Sequence, residues 1–306
     1  MEYKKIALIF PCYNEEGVIS KTVYEVHKKL NEHEFPLKFE YVFVDDGSKD
    51  KTCEEILSLQ AHLSNTHLIQ LSRNFGKEAA IFAGLEYAKN FDGAVFMDAD
   101  GQDPPEVLVQ MIQEFLSEKY DDVYAKRISR ADSSPIKRKF IEKYYHILNQ
   151  NAQFQIEENV GDFRLISKNV IQSLLELKER SRYTKGLFAY VGFRKKEILM
   201  DRPERLAGES KWNLSKQISF ALDGFVNFTD LPYKTSVWVA IILAFFFAIY
   251  NIFLLCFSKT FTVISIGLDF ILGGLFLMSV LGVIIIKILT TVMNEVKQRP
   301  IYISKR

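Results

Sequence analysis

Residues 237–257 form an unbroken run of 21 positions whose only strongly polar side chain is Asn251. A helix rises about 1.5 Å per residue, so such a run crosses a hydrocarbon core of about 30 Å. A second apolar run, residues 270–286, spans fully once flanking positions are added. A buried soluble hairpin would show a polar face along each helix, and these runs have none. Two transmembrane helices are therefore expected, at about 235–257 and 267–290. Lys259 is the one charge in the short link 258–262, whereas Lys297, Arg299, Lys305 and Arg306 follow the second run. The positive-inside rule then places both ends of the chain in the cytoplasm. Gly273, Gly274 and Gly282 would permit close helix packing, including between protomers, which leaves a homo-oligomer open. Asp269 is expected at the outer interface, because a carboxylate in hydrocarbon is costly.

The formal charge of +1 gives no basis for a nucleic-acid partner, but it is unevenly spread. From Tyr233 onward seven Lys or Arg face two Asp or Glu, a surplus of five positive charges that leaves −4 for the rest. A basic tail beside an apolar region suits an anionic membrane surface. Cys12, Cys53 and Cys256 lack C-x-x-C spacing and a fourth partner for zinc, so reduced thiols in a cytosolic compartment are expected. The apolar run at residues 6–10 is too short for a signal peptide, and Pro11 ends it.

Ahead of the membrane region, short buried-type strands alternate with amphipathic helical stretches. Residues 6–10, 41–44, 67–71, 94–97 and 122–125 read as strands, and 15–30, 51–63, 77–89 and 105–118 as helices. This alternation indicates an α/β fold with a mostly parallel sheet, whose ligands bind outside the carboxyl ends of the strands. The notable polar residues stand there. The first strand leads into Pro11-Cys12-Tyr13-Asn14-Glu15, the second into Asp45-Asp46-Gly47-Ser48 and the fourth into Asp98-Ala99-Asp100-Gly101-Gln102. Carboxylates so close repel one another, and a divalent cation is their natural partner. Asp98, Asp100 and Gln102 offer hard oxygen ligands suited to Mg2+ or Mn2+. Taken singly, aspartates at strand ends also cap helices and turns.

Several stretches in order narrow this. PCYNEE (11–16), VDDGSKD (44–50), LSRNFGKEAAIFAGL (71–85), MDADGQDPPE (97–106), GDFRL (161–165), ERLAGESKW (204–212) and RPIY (299–302) follow one another from near the start of the chain to near its end. The set resembles family-2 glycosyltransferases of the GT-A fold, in the branch of dolichyl-phosphate mannose synthases and polyprenyl-phosphate glucosyltransferases. The resemblance implies that Pro11, Tyr13, Glu15 and Asp46, with Asp45 beside them, cradle the base and ribose of a nucleotide sugar, and that Asp98, Asp100 and Gln102 bind the metal. It implies phosphate-binding roles for Arg127 and Arg205, with Ser210 and Lys211 lining the same cleft. Guanidinium groups suit an acceptor phosphate because they donate in a bidentate fork. Arg138, in the basic run 137–139, fits either the acceptor phosphate or a solvated, membrane-facing role, and Asn74 and Lys77 lie in a matching motif. Asp162 belongs to GDFRL; a phosphate acceptor is already ionised near neutral pH, so Asp162 is expected to orient groups as readily as to take a proton.

The expected layout is a GT-A catalytic domain over residues 1–210, an interfacial amphipathic helix over 211–232 and a two-span anchor with a basic cytoplasmic tail over 233–306. The implied reaction is inverting transfer of a hexose, with UDP-glucose the favoured donor, onto polyprenyl phosphate, giving a lipid-linked monosaccharide. UDP-N-acetylglucosamine, UDP-galactose and GDP-mannose are rival donors. The competing readings are a processive polysaccharide synthase, for which no Q-x-x-R-W motif is present, and a catalytically silent nucleotide-sugar-binding scaffold, against which the intact acids stand.

Overall fold

The structure is a computed structural model, and it describes residues 3–128, 135–152, 154–180, 182–201, 224, 228–229, 231–256 and 262–305. Strands β1 (Lys4–Cys12), β2 (Leu37–Asp45), β3 (Thr66–Gln70), β4 (Gly93–Phe96), β5 (Asp122–Arg127), β6 (Val160–Ser167) and β7 (Lys195–Met200) form one sheet in the order β3-β2-β1-β4-β6-β5-β7. Only β6 runs against the others. The five strands expected from sequence are present; β6 and β7 are additions to them. β6 escapes a pattern search because Asp162 and Arg164 interrupt its apolar residues.

β1 shows why the sheet is central. Residues 6–10 are completely buried. Ile6, Leu8 and Phe10 face one core with α1 (Ile19–Asn31), α2 (Thr52–Gln60) and α4 (Pro105–Leu116). Ala7 and Ile9 face a second core with α3 (Lys77–Tyr87), α6 (Lys168–Glu176) and α7 (Thr184–Tyr190). A strand covered on both faces needs apolar residues at every position rather than at alternate ones. Each fully buried Ile, Leu or Phe contributes about 1.5–3 kcal/mol relative to exposure. α3 lies especially close to the sheet: a Cβ on Gly84 would meet Ile9 Cγ2 at 2.4 Å.

α1 begins at Ile19 rather than near Glu15, which corrects the expected start. Residues 15–18 form a turn in which the Glu15 carbonyl accepts the Val18 and Ile19 N–H groups. Three helical segments were not anticipated: α5 (Pro135–Asn151), α6 and α7. On α5, Tyr145 and Leu148 pack with Ile156 and Tyr183 in a small third core.

Two long helices follow, α8 (Leu231–Cys256) and α9 (Thr262–Val296). α8 starts before its expected bound and α9 exceeds its expected bounds at both ends, which places Asp269 within α9 rather than near its start. Among the described residues no helix is long and apolar enough to cross a membrane. The interfacial helix expected at 211–232 lies almost wholly outside the described residues, as does the end of the catalytic domain near 210. After α9 the chain returns to the sheet. Ser304 bridges Leu71 in antiparallel fashion, Ser72 N–H donates to the Ile303 carbonyl at 2.7 Å, and Lys305 N–H donates to the Gln70 carbonyl at 2.7 Å.

Candidate functional site

The loops after β1 and β2 are laced together by short polar side chains. Asn14, at φ 53°, donates its N–H to Ser48 Oγ at 2.9 Å and accepts Lys49 N–H on Oδ1 at 2.9 Å. Glu15 N–H donates to Thr52 Oγ1 at 2.8 Å, and Glu16 N–H to Asp50 Oδ2 at 3.1 Å. Asn tolerates the left-handed region better than most residues, which suits it to this corner. Pro11, Tyr13 and Glu15 are half-buried beside this lacework.

The two adjacent aspartates have different surroundings. Asp45 is fully buried: Oδ1 accepts Ser48 N–H at 3.1 Å, and Oδ2 has no hydrogen-bond partner. Burial and the Asp45 carboxylate push the neighbouring Cys53 thiol up to about 11. Asp46 accepts Phe75 N–H at 2.6 Å on one oxygen and Gly76 N–H at 2.8 Å on the other. Burial raises its pKa; the two N–H groups act the other way. Between this pair and Ser48, Gly47 sits at φ +72° with its α-carbon against the next loop. A Cβ there would lie 2.6 Å from the Arg73 carbonyl carbon and 2.8 Å from Asn74 N. In this structure Asp45 and Asp46 thus organise loops, with Asp46 pinning residues 75–76.

The turn after β4 has its own order. Asp103 accepts Asp98 N–H at 2.7 Å, Asp100 Oδ1 accepts Gln102 N–H at 3.1 Å, and Gly101 takes φ +74°. Asp162 joins this turn because β6 is antiparallel. Phe96 stands opposite Arg164, and continuing that register by two residues brings Asp162 opposite Asp98. Lys77, the first residue of α3, lies between them, with Nζ 2.5 Å from Asp98 Oδ1 and 2.6 Å from Asp162 Oδ2. Burial opposes the charge on Lys77, but Asp162 and then Asp98 overcome it and hold the ammonium protonated well above the ordinary lysine range. Burial likewise opposes the charge on Asp162, while Lys77 and Lys185 hold its carboxyl well below the usual range. The adjacent Glu78, half-buried near Asp162, is pushed up to about 8 by desolvation and then by the Asp162 carboxylate, and it accepts Thr184 N–H at 3.0 Å.

A metal is testable against this donor set. Asp98 and Asp162 are already matched to a cation, so the chemistry of the site calls for positive charge. Among the described residues no group of three or more His, Cys, Asp or Glu side chains is arranged to hold an ion. Asp98, Asp100 and Gln102 stand in the one turn after β4, and their carboxylate and amide oxygens are of the donor type that Mg2+ accepts alongside substrate phosphates.

The expected phosphate ligands are less drawn together. Arg127 closes β5, half-buried, with its N–H donating to the Asn159 carbonyl at 3.0 Å, and Arg138 is exposed on α5. Arg205, Ser210 and Lys211 lie outside the described residues. A groove of about 370 Å³ between α1 and α4, lined by Thr22, Glu25, Lys29, Gly101 and Glu106, borders the turn but contains none of the expected ligands. Sequence reasoning missed Asp103, Glu78 and the N–H groups of Phe75 and Gly76; the motif around Asn74 and Lys77 was the signal that pointed nearby.

Comparison with known proteins gives the family. Residues 7–175 match the glycosyl transferase family 2 profile. The chain is 37% identical over 312 residues to a Synechocystis protein named as an uncharacterized glycosyltransferase, covering 98% of this chain and 94% of that one. It is 35% identical over 311 residues to the prophage bactoprenol glucosyl transferase homolog of Escherichia coli, covering 99% of both. A crystal structure of a mycobacterial protein shares the fold, with a TM-score of 0.50 at 16% identity over 73% of each chain. A profile that spans more than half of the chain, on a sheet whose strand ends carry the acids just described, makes this protein a member of glycosyl transferase family 2 and hence a glycosyltransferase.

Proposed function

We propose that the protein transfers glucose from UDP-glucose to a polyprenyl phosphate at the cytoplasmic surface of a membrane, inverting the anomeric configuration. The observation that carries this reading is the match, over nearly the full length of both chains, to proteins named as bactoprenol glucosyl transferases. The geometry supports it. In this reading Pro11, Tyr13 and Glu15 would cradle the base and ribose, near the loop that Asp46 pins through the Phe75 and Gly76 N–H groups. Asp98, Asp100 and Gln102 would hold Mg2+ or Mn2+, which when bound neutralises charge on the departing diphosphate.

An acceptor phosphate oxygen forms the new bond to the anomeric carbon as the bond to UDP breaks, and the electron pair leaves with UDP. No proton need be abstracted, because the acceptor is ionised near neutral pH. Asp162 therefore orients: its charge is maintained by Lys77, which also holds Asp98 in place. Arg127, Arg205, Ser210 and Lys211 are the proposed partners of the acceptor phosphate, with Arg138 at the headgroup level.

In this reading two spans would deliver the lipid, and the apolar runs at residues 237–257 and 270–286 are what supports them. Trp238, Phe247, Phe276 and Met278 are among the large apolar side chains exposed along them. The pairing of the tail after α9 with the end of β3 supports the reading that both ends of the helix pair lie on the side of the catalytic domain. A labelled-sugar assay with UDP-glucose, polyprenyl phosphate and Mg2+ tests the reading. One lipid-linked glucose is expected; a polymer or an absence of transfer overturns it.

A further inference from the structure

We propose that the C-terminal tail, residues 302–305, is a positioning element for the loop at residues 73–76, acting on nucleotide affinity from beyond the last long helix. The inference rests on the nucleotide-sugar reading above. β3 is the edge of the sheet, so the outer side of its end is open for pairing. Leu71 donates its N–H inward to the Asp45 carbonyl at 2.9 Å and bridges Ser304 outward. The flanking bonds, Ser72 N–H to Ile303 O and Lys305 N–H to Gln70 O, fix the backbone on both sides of Leu71. Tyr302 packs against the core that also receives Phe75, and its hydroxyl donates to Glu86 Oε2 on α3 at 2.5 Å.

The clamped residues run directly into the loop. Phe75 and Gly76 donate to Asp46, Gly47 rests against Arg73 and Asn74, and Lys77 then reaches Asp98 and Asp162. The tail thus sets where β3 ends and the loop begins, and so where two N–H groups and one ammonium are presented. A freed tail leaves the sheet intact, since β3 keeps its pairing with β2. Its effect should fall on the loop.

The test uses the full chain in detergent and exploits the fact that this contact is made by backbone. Lys305→Pro removes the N–H that Gln70 accepts, whereas Lys305→Ala keeps it. Two readouts are taken: UDP affinity by calorimetry with Mg2+, and hydrogen exchange of the segment containing Phe75 and Gly76. Lys305→Pro should weaken UDP binding about threefold to tenfold, the effect of roughly one net hydrogen bond, and speed exchange at Phe75 and Gly76. Lys305→Ala should match the unaltered chain on both. Unchanged exchange in Lys305→Pro overturns the role of the tail. An unaltered chain that binds no UDP overturns the nucleotide reading on which the inference rests, so the two failures are separately visible.

Discussion

Asp100 and Glu78 carry the residue-scale consequences. An amide is a poorer ligand than a carboxylate for a hard divalent ion, so Asp100→Asn should lower metal-dependent transfer by about 100-fold or more while the thermal unfolding midpoint stays near that of the unaltered chain. Transfer at the unaltered rate would remove Asp100 from the proposed metal site. Glu78 gives a pH signature. Burial and Asp162 raise its pKa to about 8 in the folded chain, against about 4.3 for an unperturbed glutamate. Over that window the unfolded chain has lost a proton that the folded chain keeps, so this group makes stability fall as pH rises, and the fall ends above about 8. Glu78→Gln has no such proton. Its unfolding midpoint relative to the unaltered chain should therefore climb between pH 5 and 8 and level off beyond, as read by thermal unfolding across that range.

β6 carries the element-scale case. Arg164, 1% exposed, places Nη1 2.8 Å from Asp122 Oδ2 on β5 and its guanidinium 3.7 Å from the centre of the Phe188 ring. Asp122 Oδ1 and Arg164 Nε have no hydrogen-bond partner, so the pair is incompletely satisfied and its worth lies in each charge neutralising the other. Removing one partner of a buried pair typically costs about 3–5 kcal/mol. Arg164→Met should lose stability on that scale, and Arg164→Met with Asp122→Asn should recover part of it, measured as unfolding midpoints of the single and double variants. A single variant as stable as the unaltered chain would show that the pair is dispensable. Loss of the β5–β6 register should also impair transfer, because the same strand sets Asp162 opposite Asp98.

For the whole molecule, the return of the tail to β3 and the basic residues after α9 lead to one topological expectation. A reporter fused after Arg306 should read on the same side as the catalytic domain, and one placed near Lys259 on the other; opposite sides for the two ends of the chain would refute two crossings. What the sequence determined by itself was local. Continuous apolar residues at 6–10 required a buried strand. The motifs at the ends of β1, β2 and β4 placed their acids on one edge, since parallel strands all finish there. Other features depended on contacts between residues far apart in the chain. Asp162 reaches Asp98 only because β6 reverses direction, Lys77 serves both because α3 starts beneath them, and Ser304 lies beside Leu71 only because α8 and α9 bring the tail back. Periodicity and turn chemistry act over a few residues and are legible in sequence. The register of an antiparallel insertion and the closure of a loop of more than 200 residues are set by packing, and those were decided by the tertiary structure.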